Sequence, residues 1–209
     1  MIRRVSLLSG LVIVAALWFG PLAGLSVSSF AAHMTVHISV VAIAAPLLAF
    51  GVAGTRMDPV NAAPALFAPL PASLVELIVV SAWHAPIFHH AARMNGAIFA
   101  IEQLSFLLAG SLLWLSALGG TAGTRQWRAG AGAGALLFTS MHMTLLGALF
   151  ALTPRPLYAH DDIGLYGLSA LNDQHLGGTI MLIVGGASYL LGGLWLAARA
   201  LQPSRVGVE

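Results

Sequence analysis

Long apolar runs separated by short polar connections form the main pattern along the 209-residue chain. Each run holds about 20 residues, the length that an α-helix needs to cross the hydrocarbon core of a bilayer. Strands of a membrane barrel are shorter and alternate in polarity, so the continuous runs favour helices. The pattern predicts six spans, at about residues 7–27, 30–54, 72–88, 94–118, 128–152 and 173–200.

Composition supports the membrane prediction. Hydrophobic residues make up 58% of the chain and charged residues 8%, whereas soluble domains contain about 25% charged residues. Seven acidic and nine basic residues are too few to cover a soluble surface of this size. We therefore expect an all-α, polytopic transmembrane helical bundle that forms one domain over residues 1–209. The first run also resembles a secretory signal, with small residues before His33, but its length favours a span.

The placement of arginine predicts the orientation of the bundle. All nine basic residues are arginines, and seven lie near the termini or in the 2–3 and 4–5 connections: Arg3, Arg4, Arg56, Arg125, Arg128, Arg199 and Arg205. Arg93 and Arg155 lie on the other side. Because cytoplasmic loops carry the excess of positive charge, both termini should be cytoplasmic. The arginines form no run among aromatic residues, so nucleic-acid binding is not expected.

Glycines recur along the last apolar run. Gly178, Gly185 and Gly192 are seven residues apart, and Gly186 and Gly193 lie beside the last two. Such a stripe lets another helix approach closely. It predicts helix packing within one bundle, with a dimer face as the alternative, and it leaves the oligomeric state open.

Histidine is concentrated on one side of the predicted bundle, since none of the eight falls on the cytoplasmic side. Such a distribution is improbable for scattered structural histidines. His89, His90 and His160 fall in external connections, where polar tips commonly anchor a chain at the interface. The other five open, end or lie within the spans: His33, His37, His84, His142 and His175.

Spacing and residue type point to a metal. His33 and His37 are four residues apart, which places their Cβ atoms about 6 Å apart on one helical face. The chain contains no cysteine, and imidazole with thioether suits Cu(I), or Cu(II) at an all-histidine site. Zinc sites commonly add cysteine or carboxylate. The predicted copper ligands are His33, His37, His84, His142 and His175, with Met34, Met141 and Met143 as accessory candidates.

Three acidic residues lie within or beside the spans. Glu102, next to Gln103, is expected either to orient a metal-bound histidine through a hydrogen bond or to be protonated and hydrogen-bonded elsewhere. Glu76 is expected to be structural. Asp173 opens the sixth span and should cap that helix by accepting hydrogen bonds from its backbone N–H groups.

Five blocks of sequence recur in an order typical of one family. They are residues 33–37 with 45–48 (HMTVH, APLL), 83–86 (WHAP), 141–148 (MHMTLLGA), 156–158 (PLY) and 173–178 (DQHLGG). Together they resemble the membrane-integral CtaG-type cytochrome c oxidase assembly factors, from about residue 30 to about residue 200. Members commonly have seven spans, against six counted here, and often carry histidine near the position of Glu102.

The resemblance implies a metallochaperone rather than an enzyme. Such a protein would lie in a bacterial inner membrane, bind copper on the periplasmic side and support its insertion into a haem–copper oxidase. Its expected partners are the oxidase subunits and periplasmic copper carriers, in addition to the lipid bilayer.

Three other functions fit a histidine-rich membrane protein. A b-type cytochrome or redox subunit needs two histidines that face each other across a haem from different helices. A copper transporter needs polar residues through the full membrane depth. A purely structural oxidase subunit needs neither.

Overall fold

Helices form the regular structure of the part of the chain that this computed structural model describes, residues 1–158 and 167–202. In chain order they are α1 (Ile2–Phe19), α2 (Pro21–Ser28), α3 (Phe30–Val52), α4 (Pro59–Ala62), α5 (Pro69–Trp83), α6 (Pro86–Met94), α7 (Gly96–Leu118), α8 (Arg125–Leu152) and α9 (Ala170–Ala200). Five helices are long and apolar enough to cross a membrane, and α5 with α6 makes a sixth span if that bent pair is counted as one. The prediction of an all-α, multi-pass bundle is confirmed.

A break after Trp83 separates α5 from α6, and the two helices meet at an angle of 70°. The apolar pattern predicted a single span over 72–88 and a loop after it, so α6 was not predicted. Pro86 explains the break, because its ring removes a backbone N–H and disfavours helical backbone at the residue before it. Ala85 is accordingly extended, with ψ of 132°. The bend places His84 beside α6.

Helix α3 runs through the interior of the bundle and packs against α1, α7 and α9. Its apolar residues Phe30, Met34 and Ile38 are almost completely buried, and so are the polar side chains of His33 and His37. Neither histidine therefore meets lipid or bulk water. The ring nitrogens of His33 and His37 can therefore pair only with groups that lie inside the bundle.

A π-helical turn at Val40–Ala44 interrupts α3 one turn beyond His37. Such a turn frees backbone carbonyls from the regular ladder. The carbonyl of Val41 accepts a hydrogen bond from Trp114 Nε1 at 3.1 Å and lies 3.1 Å from Tyr189 Oη. The same tyrosine hydroxyl also hydrogen-bonds the Glu76 carboxyl group. Glu76 is thus tied into helix packing, as predicted.

The glycine stripe of α9 packs inside the bundle, which confirms the first of its two interpretations. A Cβ atom added to Gly178 would lie 2.5 Å from the backbone nitrogen of Ala151, and one added to Gly147 would lie 2.6 Å from that of Leu182. Both distances are far below van der Waals contact. Helices α8 and α9 therefore approach each other closely, backbone against backbone.

Replacing Gly147 with alanine is expected to destabilise the protein by about 1–3 kcal/mol, because the added methyl group collides with rigid backbone. The matched control is Gly134→Ala on the same helix, where nothing lies within 4 Å of the added Cβ. Alanine is the better helix former, so the control should be neutral or stabilising. Thermal unfolding of both variants in detergent measures the difference. Equal midpoints would contradict the close packing.

Candidate metal centre

Four histidines from α3, the end of α5 and α6 meet near one end of the bundle. They are His33, His37, His84 and His89, named here the histidine cluster, and each is at most 5% exposed. Ring centroids within it lie 6.3 Å apart for His33–His37, 5.7 Å for His33–His84, 5.2 Å for His37–His84 and 4.9 Å for His33–His89. Separate helices therefore deliver several imidazoles to a single buried place.

The first turn of α3 is fixed by two side chains. Ser29 is the N-cap residue, and its Oγ accepts from the backbone N–H of Ala32 at 3.1 Å. The carboxylate of Asp173 accepts from the backbone N–H groups of Phe30 at 2.6 Å and Ala31 at 3.3 Å. The prediction that Asp173 caps its own helix is wrong, because Ser169 is the N-cap of α9. Instead, Asp173 crosses to α3 and holds the helix that carries His33.

His84 has a defined tautomer. Its Nδ1 lies 2.6 Å from the carbonyl oxygen of Val80, and a carbonyl only accepts, so Nδ1 carries the proton. The neutral ring then has its lone pair on Nε2, the form that binds a metal. Tyr158 Oη donates to the His84 carbonyl at 2.7 Å and supports the bend there. Burial raises the pKa of the Tyr158 phenol, which keeps it protonated as a donor.

Several ring nitrogens of the cluster have no hydrogen-bond partner within the described residues. They are both nitrogens of His37, Nε2 of His33 and Nε2 of His84. Buried polar atoms are nearly always paired, and each unpaired one costs about 1–3 kcal/mol. Each neutral ring has one lone-pair nitrogen, so a cation that accepts an electron pair can bind His84 through Nε2 and His37 through one of its two nitrogens. The residues present therefore fit a soft cation.

The spacing of the rings fits the same ligand. A metal–nitrogen bond of ~2 Å, with ~1 Å from the nitrogen to the ring centre, sets the centroids of three ligating imidazoles ~5–5.5 Å apart. The distances among His33, His37 and His84 run from 5.2 to 6.3 Å. A closure of less than about 1 Å brings all three into range.

Arg93 and Glu102 form a second face of the cluster. Arg93 Nη2 donates to Glu102 Oε2 in a short ion pair, and Nη1 donates to His33 Nδ1 at 2.9 Å. Gln103 Nε2 donates to the same carboxylate oxygen at 3.1 Å. His33, His89 and Glu102 each offer one ligand atom, and these atoms lie within 4.8 Å of one another. The Arg93 guanidinium already places a positive charge beside the ligand atoms of His33 and Glu102.

The Arg93 hydrogen bond competes with metal binding by His33. A guanidinium only donates, so His33 Nδ1 is the acceptor and the neutral ring carries its proton on Nε2. A metal at Nδ1 would take the place of Arg93. A metal at Nε2 requires the proton to move to Nδ1, where it would face the Arg93 N–H. A neutral His33 therefore binds either Arg93 or a metal.

The other predicted histidines lie outside the cluster. His142 is buried, with its ring 6.1 Å from that of Phe138. His175 Nε2 hydrogen-bonds the carbonyl of Thr153 at 2.8 Å, which links the start of α9 to the end of α8. His90 is exposed. His160 lies outside the described residues.

The three methionines predicted as accessory ligands lie in two different environments. Met34 and Met143 are fully buried in the hydrophobic core. Met34 packs closely against Gly177 of α9, since a Cβ added to that glycine would lie 3.1 Å from Met34 Cγ. Met141 is 53% exposed on the outer surface of the bundle. Phenylalanine forms much of the cluster wall instead, with Phe106 4.0 Å from His37 between ring centroids and Phe150 5.5 Å from His84. An apolar wall keeps water out and strengthens electrostatic interactions within.

Two residues of the candidate site, His89 and Arg93, were not predicted as site residues from the sequence. His89 was expected to be an interfacial anchor, and Arg93 was used only to assign orientation. Both lie on α6, four residues apart and hence on one helical face. That spacing is the signal that identifies them once α6 is known to be a helix.

Comparison with known proteins identifies the family. The family model described as cytochrome c oxidase caa3 assembly factor matches residues 1–202, which include the whole histidine cluster with Arg93 and Glu102. No curated protein and no solved structure matches the chain.

Proposed function

Because the chain belongs to the cytochrome c oxidase caa3 assembly factor family, we propose that its histidine cluster binds copper and supplies it to the oxidase during assembly. Copper is then a cargo and not a resident cofactor. The role requires no bond-making chemistry, in keeping with an assembly factor. It requires a site that binds the ion and then lets it go.

The observation that carries the proposal is that the buried rings of His37 and His84 each keep a lone-pair nitrogen without a partner. His33 lies beside them and becomes a third ligand when the ion takes the place of Arg93. Imidazole suits copper, and the absence of cysteine leaves no thiolate to hold the ion too tightly for transfer. Three imidazoles form a compact site for one Cu(I) ion.

Arg93 supports release. When copper leaves, the guanidinium regains its hydrogen bond to His33 and keeps its ion pair with Glu102. The emptied site is therefore left with a satisfied imidazole nitrogen and a neutralised carboxylate. Glu102 acts in this scheme by positioning Arg93, and through it the tautomer of His33.

The cluster lies at the end of the bundle opposite the termini. The distribution of arginines favours the periplasmic side for that end. Copper carriers of the periplasm would load it there, and an oxidase subunit would receive the ion within the bacterial inner membrane.

A haem is a poorer fit, because His33 and His37 lie on one helix with their rings inclined by 13° and a porphyrin would have to displace Phe106.

Deletion of the protein tests the proposal. Oxidase purified from the deletion strain is expected to keep its haem but to lose most of its copper, measured as the ratio of copper to haem iron by mass spectrometry. Re-expression of the wild-type chain should restore the ratio. A haem-only terminal oxidase from the same cells is the control. Less oxidase with a normal copper-to-haem ratio would instead support a purely structural role.

A further inference from the structure

Three arginines converge at the end of the bundle opposite the histidine cluster. Arg3 at the start of α1, Arg125 at the start of α8 and Arg199 near the end of α9 line one small cavity of about 90 Å³. Because they come from helices far apart in the chain, only the packing of the bundle brings them together. We call this space the arginine cavity.

Among the described residues, no acidic side chain forms an ion pair with the arginines of the cavity. A Cβ placed on Gly54 would lie 3.8 Å from Arg3 Nη2 and 3.9 Å from Arg125 Nη2, so both guanidinium groups border one point. Arg3 Nη1 donates to the carbonyls of Phe50 and Ala53. Across residues 1–158 and 167–202, the ion pairs involve Glu102 and none of these arginines. Like charges held so close favour an anion between them.

An apolar groove adjoins the arginine cavity and shares Phe50 with it. The groove has a volume of about 620 Å³ and lies between α1 and α3, lined by Ile2, Val5, Ile43, Pro46 and Leu47. A second recess of about 460 Å³ continues along α1, past Val5, Leu8, Val12 and Ile13. The two together extend from the level of the arginines toward the middle of the membrane.

We propose that the arginine cavity and the groove bind one anionic phospholipid, with its phosphate among the arginines and an acyl chain along α1. Guanidinium matches the geometry of phosphate oxygens. The cavity volume of 90 Å³ corresponds to about three water molecules at ~30 Å³ each, so a phosphate group can occupy the space among the arginines. The arginines lie at helix ends, where lipid headgroups lie, and the groove faces the hydrocarbon. Basic pockets between transmembrane helices are known to bind anionic headgroups.

Native mass spectrometry of the full chain in detergent tests the site with phosphatidylglycerol as the probe. The triple variant Arg3→Gln/Arg125→Gln/Arg199→Gln is expected to bind this lipid about 100-fold more weakly, at about fivefold per arginine. The matched control removes the same charge from three exposed arginines outside the cavity, as Arg4→Gln/Arg56→Gln/Arg155→Gln. The loss of lipid affinity in this control variant should be less than a tenth of the loss in the cavity triple variant. Should the cavity triple fail to fold, Arg125→Gln alone should show the fivefold loss.

Two further probes distinguish a lipid from other occupants. Phosphatidylcholine with the same acyl chains should bind at least tenfold more weakly than phosphatidylglycerol, and equal binding would overturn the proposal in favour of general lipid contact. Glycerol phosphate supplies the anion without the chain, and binding as tight as that of the lipid would show a simple anion site. Ser9 lines both the groove and the recess. Ser9→Trp should therefore fill the groove, weaken lipid binding and leave the binding of glycerol phosphate unaffected.

Discussion

Protein carrying His33→Ala and His37→Ala is expected to lose copper completely during purification in detergent, under conditions in which the wild-type chain retains it. The two imidazoles supply all the unpaired nitrogens that α3 contributes to the cluster. Changes outside the ligand set alone cost about 10–100-fold in metal affinity, so removal of two ligands should cost more than 100-fold. Metal analysis after dialysis against a Cu(I) chelator measures the loss.

The neighbouring pair His89 and His90 gives a matched control for this experiment. His90 is exposed and His89 is buried in the cluster, although they are adjacent in the sequence. His90→Ala should therefore leave copper content unchanged. A monodisperse elution profile of the double variant shows that the bundle remains folded. Equal copper in the double variant and the wild type would refute the cluster as the binding site.

Arg93→Met is expected to have the opposite effect on affinity and to bind copper at least tenfold more tightly. Methionine is of similar length but has neither a charge nor a donor, so His33 Nδ1 becomes free and Glu102 attracts the ion. A unit charge ~4 Å away is worth about 4 kcal/mol at an effective dielectric constant of 20, so tenfold is a lower bound. Competition with a Cu(I) chelator measures the affinity, and stopped-flow mixing measures release.

The same substitution should impair delivery, because the ion is held longer. Cells that carry Arg93→Met are expected to contain oxidase with a reduced ratio of copper to haem iron, despite tighter binding by the assembly factor. Arg155→Met, an exposed arginine beyond α8, is the control. Adding Glu102→Gln to Arg93→Met should return the affinity toward the wild-type value. Weaker copper binding by Arg93→Met would show that the guanidinium does not compete with the ion.

Part of the candidate site was predictable because its signals are local. His33 and His37 share a helical face through their spacing of four residues, and the apolar run around them fixes the helix. The histidines of the cluster also lie at one end of the bundle, since the order of the spans determines which end each residue reaches. The family was predictable from short blocks in a fixed order, and the match over residues 1–202 confirms it.

The other members of the site depend on packing between helices. His89 and His90 are indistinguishable in the sequence, and only the rotation of α6 buries the first and exposes the second. Asp173 caps α3 rather than its own helix, a contact between residues 142 or 143 positions apart. His175 was predicted as a ligand, yet its ring reaches the end of α8.

The sequence by itself determined that the chain forms several apolar helices long enough to cross a membrane, that it belongs to its family, and that His33, His37 and His84 lie toward one end. Hydrophobic run length, helical period and motif order are properties of neighbouring residues, and they survive without knowledge of the fold. Only the tertiary structure decided which imidazoles meet, which of their nitrogens lack partners and that Arg93 lies against His33. Those facts depend on the rotation and tilt of each helix against the others, which arise from packing across the whole bundle.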